Sequence, residues 1–73
     1  MTTEAFQAEI KKHWKKWLPA KWKELQAEGR IESATLAVAQ MAQQEKQRLM
    51  QSGFPEFAAD EVVRAEYILL KPE

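Results

Sequence analysis

The chain has 73 residues, 11 basic and 11 acidic side chains, and no cysteine. That length means one domain, residues 1–73, burying only about 60% of the surface its unfolded form exposes. Without a staple its core supplies about 3–5 kcal/mol net; the cysteine count excludes disulfides and argues against zinc clusters.

The single histidine builds no metal site without several carboxylates aimed at the same point. No cofactor is therefore implied, and a partner protein or self-association is the remaining staple. A cysteine-free chain fits a reducing compartment. The opening MTTEAFQAEI carries acids and lacks the apolar h-region of a signal peptide. No apolar run approaches the roughly 18 residues of a membrane span, so no membrane partner is expected and the expected address is cytoplasmic. Ala, Glu, Lys, Gln and Leu dominate, with two glycines and three prolines, which is the composition of an all-α domain. Residues 1–30 carry +3 and residues 31–73 carry −3. The halves either attract each other on folding or offer two opposite binding surfaces.

Periodicity predicts a compact bundle of three to four helices with short connections, over 4–18, 20–28, 32–51 and 55–70. In the first, Phe6, Ile10, His13, Trp14, Trp17 and Leu18 share one sector at 100° per residue. Lys11, Lys12, Lys15 and Lys16 fall opposite. A nucleic-acid stacking platform needs aromatics beside cations on one exposed surface. This spacing separates them, so the tryptophans are expected in the core and the lysines in solvent. Pro19 either starts a second helix or kinks the first; Trp22 and Leu25 form the inner side that follows. Gly29 reads as a left-handed helix stop.

The third helix has an expected inner stripe of Ile31, Ala34, Val38, Met41, Ala42 and Leu49, with Glu45 in its middle. Leu36 and Met50 lie outside it among glutamines, and Ser52-Gly53 ends the helix. Pro55 opens the fourth helix and Pro72 closes it. There Ala58, Val62, Ala65 and Leu69 make one stripe, and Ala59, Val63 and Leu70 another, with Glu66 between. Phe57 and Ile68 flank Glu61 on a third side, while Asp60, Arg64 and Tyr67 look outward, Asp60 and Arg64 as an i,i+4 pair. With apolar residues on several sides, 54–73 is the stretch the other helices are expected to pack against.

Glu45, Glu66 and His13 are candidate core polar residues. A buried carboxylate pair with a histidine is acid–base material in principle. No glycine-rich phosphate loop accompanies it, and no nucleophile beside a base, so an enzyme is not expected. Glu66 is expected to accept from a tryptophan N–H of the first helix, fixing register.

The run Trp14-x-x-Trp17-Leu18-Pro19, Leu25-x-x-x-Gly29-x-Ile31 and Ala59-x-Glu61-x-Val63-x-x-Glu66-x-Ile68-x-Leu70-x-Pro72-Glu73 resembles small helical proteins encoded by phages and mobile elements. Some of those are labelled transposon accessory proteins. The resemblance covers residues 14–73, rests on core positions and helix stops, and transfers no catalytic residue. The basic first helix and the Gln-rich third helix depart from it. It implies a phage or mobile-element origin, and with it action in the host cytosol.

Three functions follow as expectations. The first is a protein-interaction module that occludes a host or defence complex, an anti-CRISPR-like inhibitor being one form. Its candidate surface is Leu36, Met50, Phe57, Ile68, Asp60 and Glu61, with Glu56 and Glu73 extending the acidic face. The second is nucleic-acid binding through Lys11, Lys12, Lys15, Lys16, Lys21 and Lys23. The third is a self-associating assembly protein, a homodimer that buries Phe57 and Ile68 across a two-fold.

Overall fold

Thr2 caps the first helix by accepting a hydrogen bond from the Ala5 amide at 3.1 Å. Helix α1 then runs Thr3–Trp17, with Glu4 in its first turn and Lys15 and Lys16 in its last, each sign matching the helix dipole. The computed structural model describes residues 1–71; Pro72 and Glu73, expected to close the last helix and extend its acidic face, lie outside the described residues. Leu18 leaves helical geometry at φ −127° and ψ 60°, and Pro19 starts α2, Pro19–Ala27. The chain therefore breaks here instead of kinking. Helix α3 is Ile31–Gln51 and α4 is Glu56–Val63, continued by a π-helical turn, Arg64–Ile68. The described residues form an all-α bundle without strands.

Both connections after the second and third helices are built alike. Gly29 has φ 67° and Gly53 has φ 105°, a region open to glycine because it lacks a Cβ. The Gly29 amide bonds the Gln26 carbonyl at 3.1 Å and the Arg30 amide reaches back to Leu25 at 2.8 Å. Gly53 and Phe54 repeat this pattern onto Met50 and Leu49, each at 3.1 Å. These are Schellman closures, which satisfy orphan carbonyls at a helix end and reverse the chain sharply.

Helices α1 and α3 lie antiparallel. Gln7 Nε2 bonds Thr35 Oγ1 at 3.1 Å near one end, and Lys46 Nζ bonds the Met1 carbonyl at 2.9 Å near the other. Helix α4 packs on α3, and the π turn that continues it reaches α1. Its Arg64 pairs with Glu9 at 3.0 Å, and His13 Nε2 donates to the Leu70 carbonyl at 2.8 Å. The α1–α3 pair is thus the centre of packing and α4 covers it, the reverse of the expectation for 54–73. Phe6, Ile10 and Trp14 of α1 fill the core against small residues, Ala39, Ala42 and Ala59. Small residues let helix axes approach closely, and α1 supplies the three largest fully buried side chains.

Two stripes differ from expectation. On α3 the buried positions are Thr35, Ala39, Ala42, Lys46 and Leu49, a 4-3-4-3 spacing that suits a helix pair. The expected stripe was rotated from this one. Met41 is exposed, Val38 and Ala34 are half-buried, and the buried charge is Lys46 instead of Glu45. On α4 the buried series is Ala59, Val63 and Ile68. The last step is five residues because the π turn adds one: the Leu69 amide bonds Arg64, five back, at 2.8 Å. The inserted residue turns Ile68 inward and leaves Leu69, Ala65 and Glu66 exposed. Tyr67, expected outward, is half-buried against the core.

The π register predicts an asymmetry between neighbours. Ile68→Ala should cost about 2–5 kcal/mol, as for a fully buried aliphatic residue, and Leu69→Ala less than about 1 kcal/mol. Urea unfolding followed by circular dichroism measures both, and equal losses contradict the register.

Candidate functional site

Lysine is among the residues least often buried without a partner, yet the Lys46 side chain is 3% exposed. Its position on α3, four after Ala42 and three before Leu49, puts it on the stripe facing α1 and α4. Its ammonium has three donors, and three acceptors meet it: the Met1 carbonyl at 2.9 Å, Glu56 Oε2 at 3.0 Å and Asp60 Oδ1 at 3.2 Å. Asp60 in turn takes the Met1 α-ammonium on both oxygens, at 3.2 and 3.0 Å. Phe6 adds its ring face, 6.0 Å from Lys46 Nζ.

This placement corrects the reading of Asp60 as an outward surface acid paired with Arg64. Asp60 faces inward to the knot, and Arg64 pairs with Glu9. Burial pushes the Asp60 carboxyl up, but the Met1 and Lys46 hydrogen bonds outweigh it and hold the group below the usual aspartate range. Burial likewise disfavours charged Lys46, and its contacts with Met1, Glu56 and Asp60 outweigh that, so its pKa is raised.

The knot anchors the end of the bundle where α3 turns into α4, and three large apolar side chains lie outside it there. Phe57, in the first turn of α4, is 73% exposed; Phe54 of the turn and Met50 of the last turn of α3 are exposed beside it in the chain. Glu61, one turn after Phe57, is also exposed. Of the expected partner surface, Leu36, Met50, Phe57 and Glu61 are therefore at the surface, whereas Ile68 is fully buried and Asp60 is committed to the knot.

The opposite end carries the second exposed group. Trp17 was expected in the core and is 43% exposed. It is the last residue of α1, where the chain breaks before Pro19, so its inner sector looks past the end of the bundle. Leu69, itself 50% exposed, shares a depression with it. Together with Glu9, Lys12, His13 and Lys16 they line a depression of about 230 Å³. Lys16 Nζ stands 4.9 Å from the Trp17 ring centroid. Aromatic and cation are thus on one exposed surface after all.

The other lysines do not join that surface as one strip. Lys11 turns toward α3 and pairs with Glu32. Lys15 and Lys23 are exposed, and Lys21 lies over Trp14, 4.3 Å from its ring centroid.

The candidate core polar residues separate in the same way. Glu45 is half-buried and held by Arg48, whose hydrogen bond keeps its carboxyl below the usual range. His13 is half-buried and donates to Leu70. Glu66 is exposed and Trp14 Nε1 has no hydrogen-bond partner among the described residues, so the expected bond between them does not form. Lys46 and Thr35 were missed because polar types were scored against burial. Their spacing with Ala39, Ala42 and Leu49 was the available signal.

Among the described residues no group of three or more His, Cys, Asp or Glu could hold a metal ion, and no helix is long and apolar enough to cross a membrane. Comparison with protein-family models, with curated proteins and with solved structures found no match.

The knot couples the stability of the chain to pH at both ends of the range. The contribution of Asp60 is present above the ordinary aspartate pKa and lost as pH falls through its lower folded value; that of Lys46 is present below the ordinary lysine pKa and lost as pH rises through its higher one. Lys46→Ala leaves Asp60 short of a partner and should cost about 3–5 kcal/mol, most of the stability of so short a chain. Asp60→Asn should lower the urea midpoint at neutral pH and flatten its fall in acid. An acid limb unchanged in Asp60→Asn contradicts the assignment.

Proposed function

We propose that the protein is a non-enzymatic interaction module that binds another protein through the α3–α4 end. Phe57 enters an apolar pocket of the partner, and Phe54 and Met50 widen the contact. The observation that supports this reading is the exposure of Phe57, one of three phenylalanines in a chain short of large core side chains. Interface hot spots favour aromatic residues, and Met is enriched at interfaces. Glu61 and the outer part of Glu56 give the patch an acidic rim, so the matching pocket carries basic side chains. The resemblance to phage and mobile-element proteins supports a narrower form, occlusion of a host or defence complex as an inhibitor.

Quantitative affinity capture from the cytosol of the cell of origin, wild type against Phe57→Ser, tests the reading. The expected result is a protein recovered by the wild type and depleted at least about tenfold by the substitution, with an unchanged melting midpoint. Recovery that ignores Phe57, or self-association through Phe57 in sedimentation with no other protein recovered, overturns it.

A further inference from the structure

We propose that the depression at the end of α1 binds one nucleotide of a single-stranded nucleic acid, the base on Trp17 and Leu69 and the phosphate on Lys12 and Lys16. The helix sets out two adjacent rows at i,i+4 spacing. One row is cationic, Lys12 and Lys16; the other is aromatic, His13 and Trp17. Both rows line the same depression, and the rings of His13 and Trp17 lie 6.5 Å apart at 43°. Leu69 closes the far side with apolar surface. A stacking site for single strands needs these two components together, a ring with an open face and cations that follow the backbone.

The charge balance favours an anion. Glu9 also lines the depression, but Arg64 neutralises it at 3.0 Å. Lys12 and Lys16 have no ion-pair partner among the described residues. His13 already spends Nε2–H on the Leu70 carbonyl, which fixes the ring as a wall of the depression. At about 230 Å³ the space falls below the roughly 300–1,000 Å³ of sites that enclose a small molecule. It suits one planar ring held from one side, with the rest of the strand running outside. The second depression, of about 270 Å³ beside Gln26, Gly29, Ile31 and Glu32, offers neither cation nor aromatic ring.

Fluorescein-labelled 12-residue oligo(dT) and oligo(U), titrated by anisotropy at several salt concentrations, test the site. Trp17→Ala should weaken binding about 5- to 150-fold, and Trp17→Phe should restore part of the loss. Lys12→Ala/Lys16→Ala should lower the slope of log K against log salt by about 1.4, at about 0.7 per phosphate contact. Lys23→Ala, exposed on α2 and outside the lining of the depression, serves as the control for bulk charge. Phe57→Ser should leave strand binding unchanged, so this result stands or falls apart from the protein-binding surface. Three results overturn the proposal: no binding to either strand, losses in the Trp17 and Lys12/Lys16 variants no larger than in the control, or equal competition by a free mononucleotide at the same nucleotide concentration.

Discussion

The ammonium of Lys46 is the one group that three separate parts of the chain have to meet. A charge moved out of water is tolerated only when its hydrogen-bonding capacity is matched. Here the match comes from the Met1 carbonyl ahead of α1 and from Glu56 and Asp60 on α4, while α3 carries the lysine itself. An apolar residue would fill the same space without asking where Met1 or Asp60 lies. A lysine does ask, because any sliding of α4 along α3 strips it of Asp60 or Glu56. Helices that pack through alanines have few large side chains to set their register, and this charged contact sets it instead.

The distribution of apolar side chains follows from that choice. With Ala39, Ala42 and Ala59 at the helix contacts, there is room inside for Phe6, Ile10, Trp14, Val63 and Ile68, and for few others. The Cα extents, 41 × 21 × 13 Å, describe a flattened body with little depth to cover both sides of a helix. Large side chains at the ends of elements have nothing opposite them. Phe54 and Phe57 emerge where α3 turns into α4, and Trp17 and Leu69 emerge where α1 breaks. The two groups differ in electrical setting, acidic beside Phe57 and basic beside Trp17. The +3 and −3 halves of the sequence are therefore expressed partly as contacts within the fold, Lys11 with Glu32 and the Met1 ammonium with Asp60, and partly as two unlike ends.

The helices were legible because their stops are local. Pro19, Gly29, Ser52-Gly53 and Pro55 act through backbone geometry that needs no partner, and the sector of Phe6, Ile10 and Trp14 is wide and unmixed. The faces of α3 and α4 were less legible. Scoring by polarity passed over Thr35 and Lys46 and moved the α3 stripe toward Met41 and Glu45, although Thr35 is satisfied by donating to Ile31 at 2.6 Å. The π turn was invisible to a fixed 100° step, and it exchanged the expected roles of Ile68 and Leu69. Trp17 had the right angular position for the core; what periodicity does not carry is where the neighbouring helix ends. Of the candidate surface residues, Phe57 and Glu61 needed only local pattern, whereas Asp60 depended on the distant Lys46 and Met1.

The state of the Lys46 side chain itself is the most direct test. Nitrogen–proton correlation spectra of the lysine ammonium groups, with Lys46 assigned by substitution, report both hydrogen exchange and charge. The ammonium of Lys46 should exchange its protons slowly with water at neutral pH and stay charged above the ordinary lysine pKa. A Lys46 signal that exchanges as fast as those of the exposed Lys15 and Lys23, or that loses its charge below the ordinary lysine pKa, would contradict this.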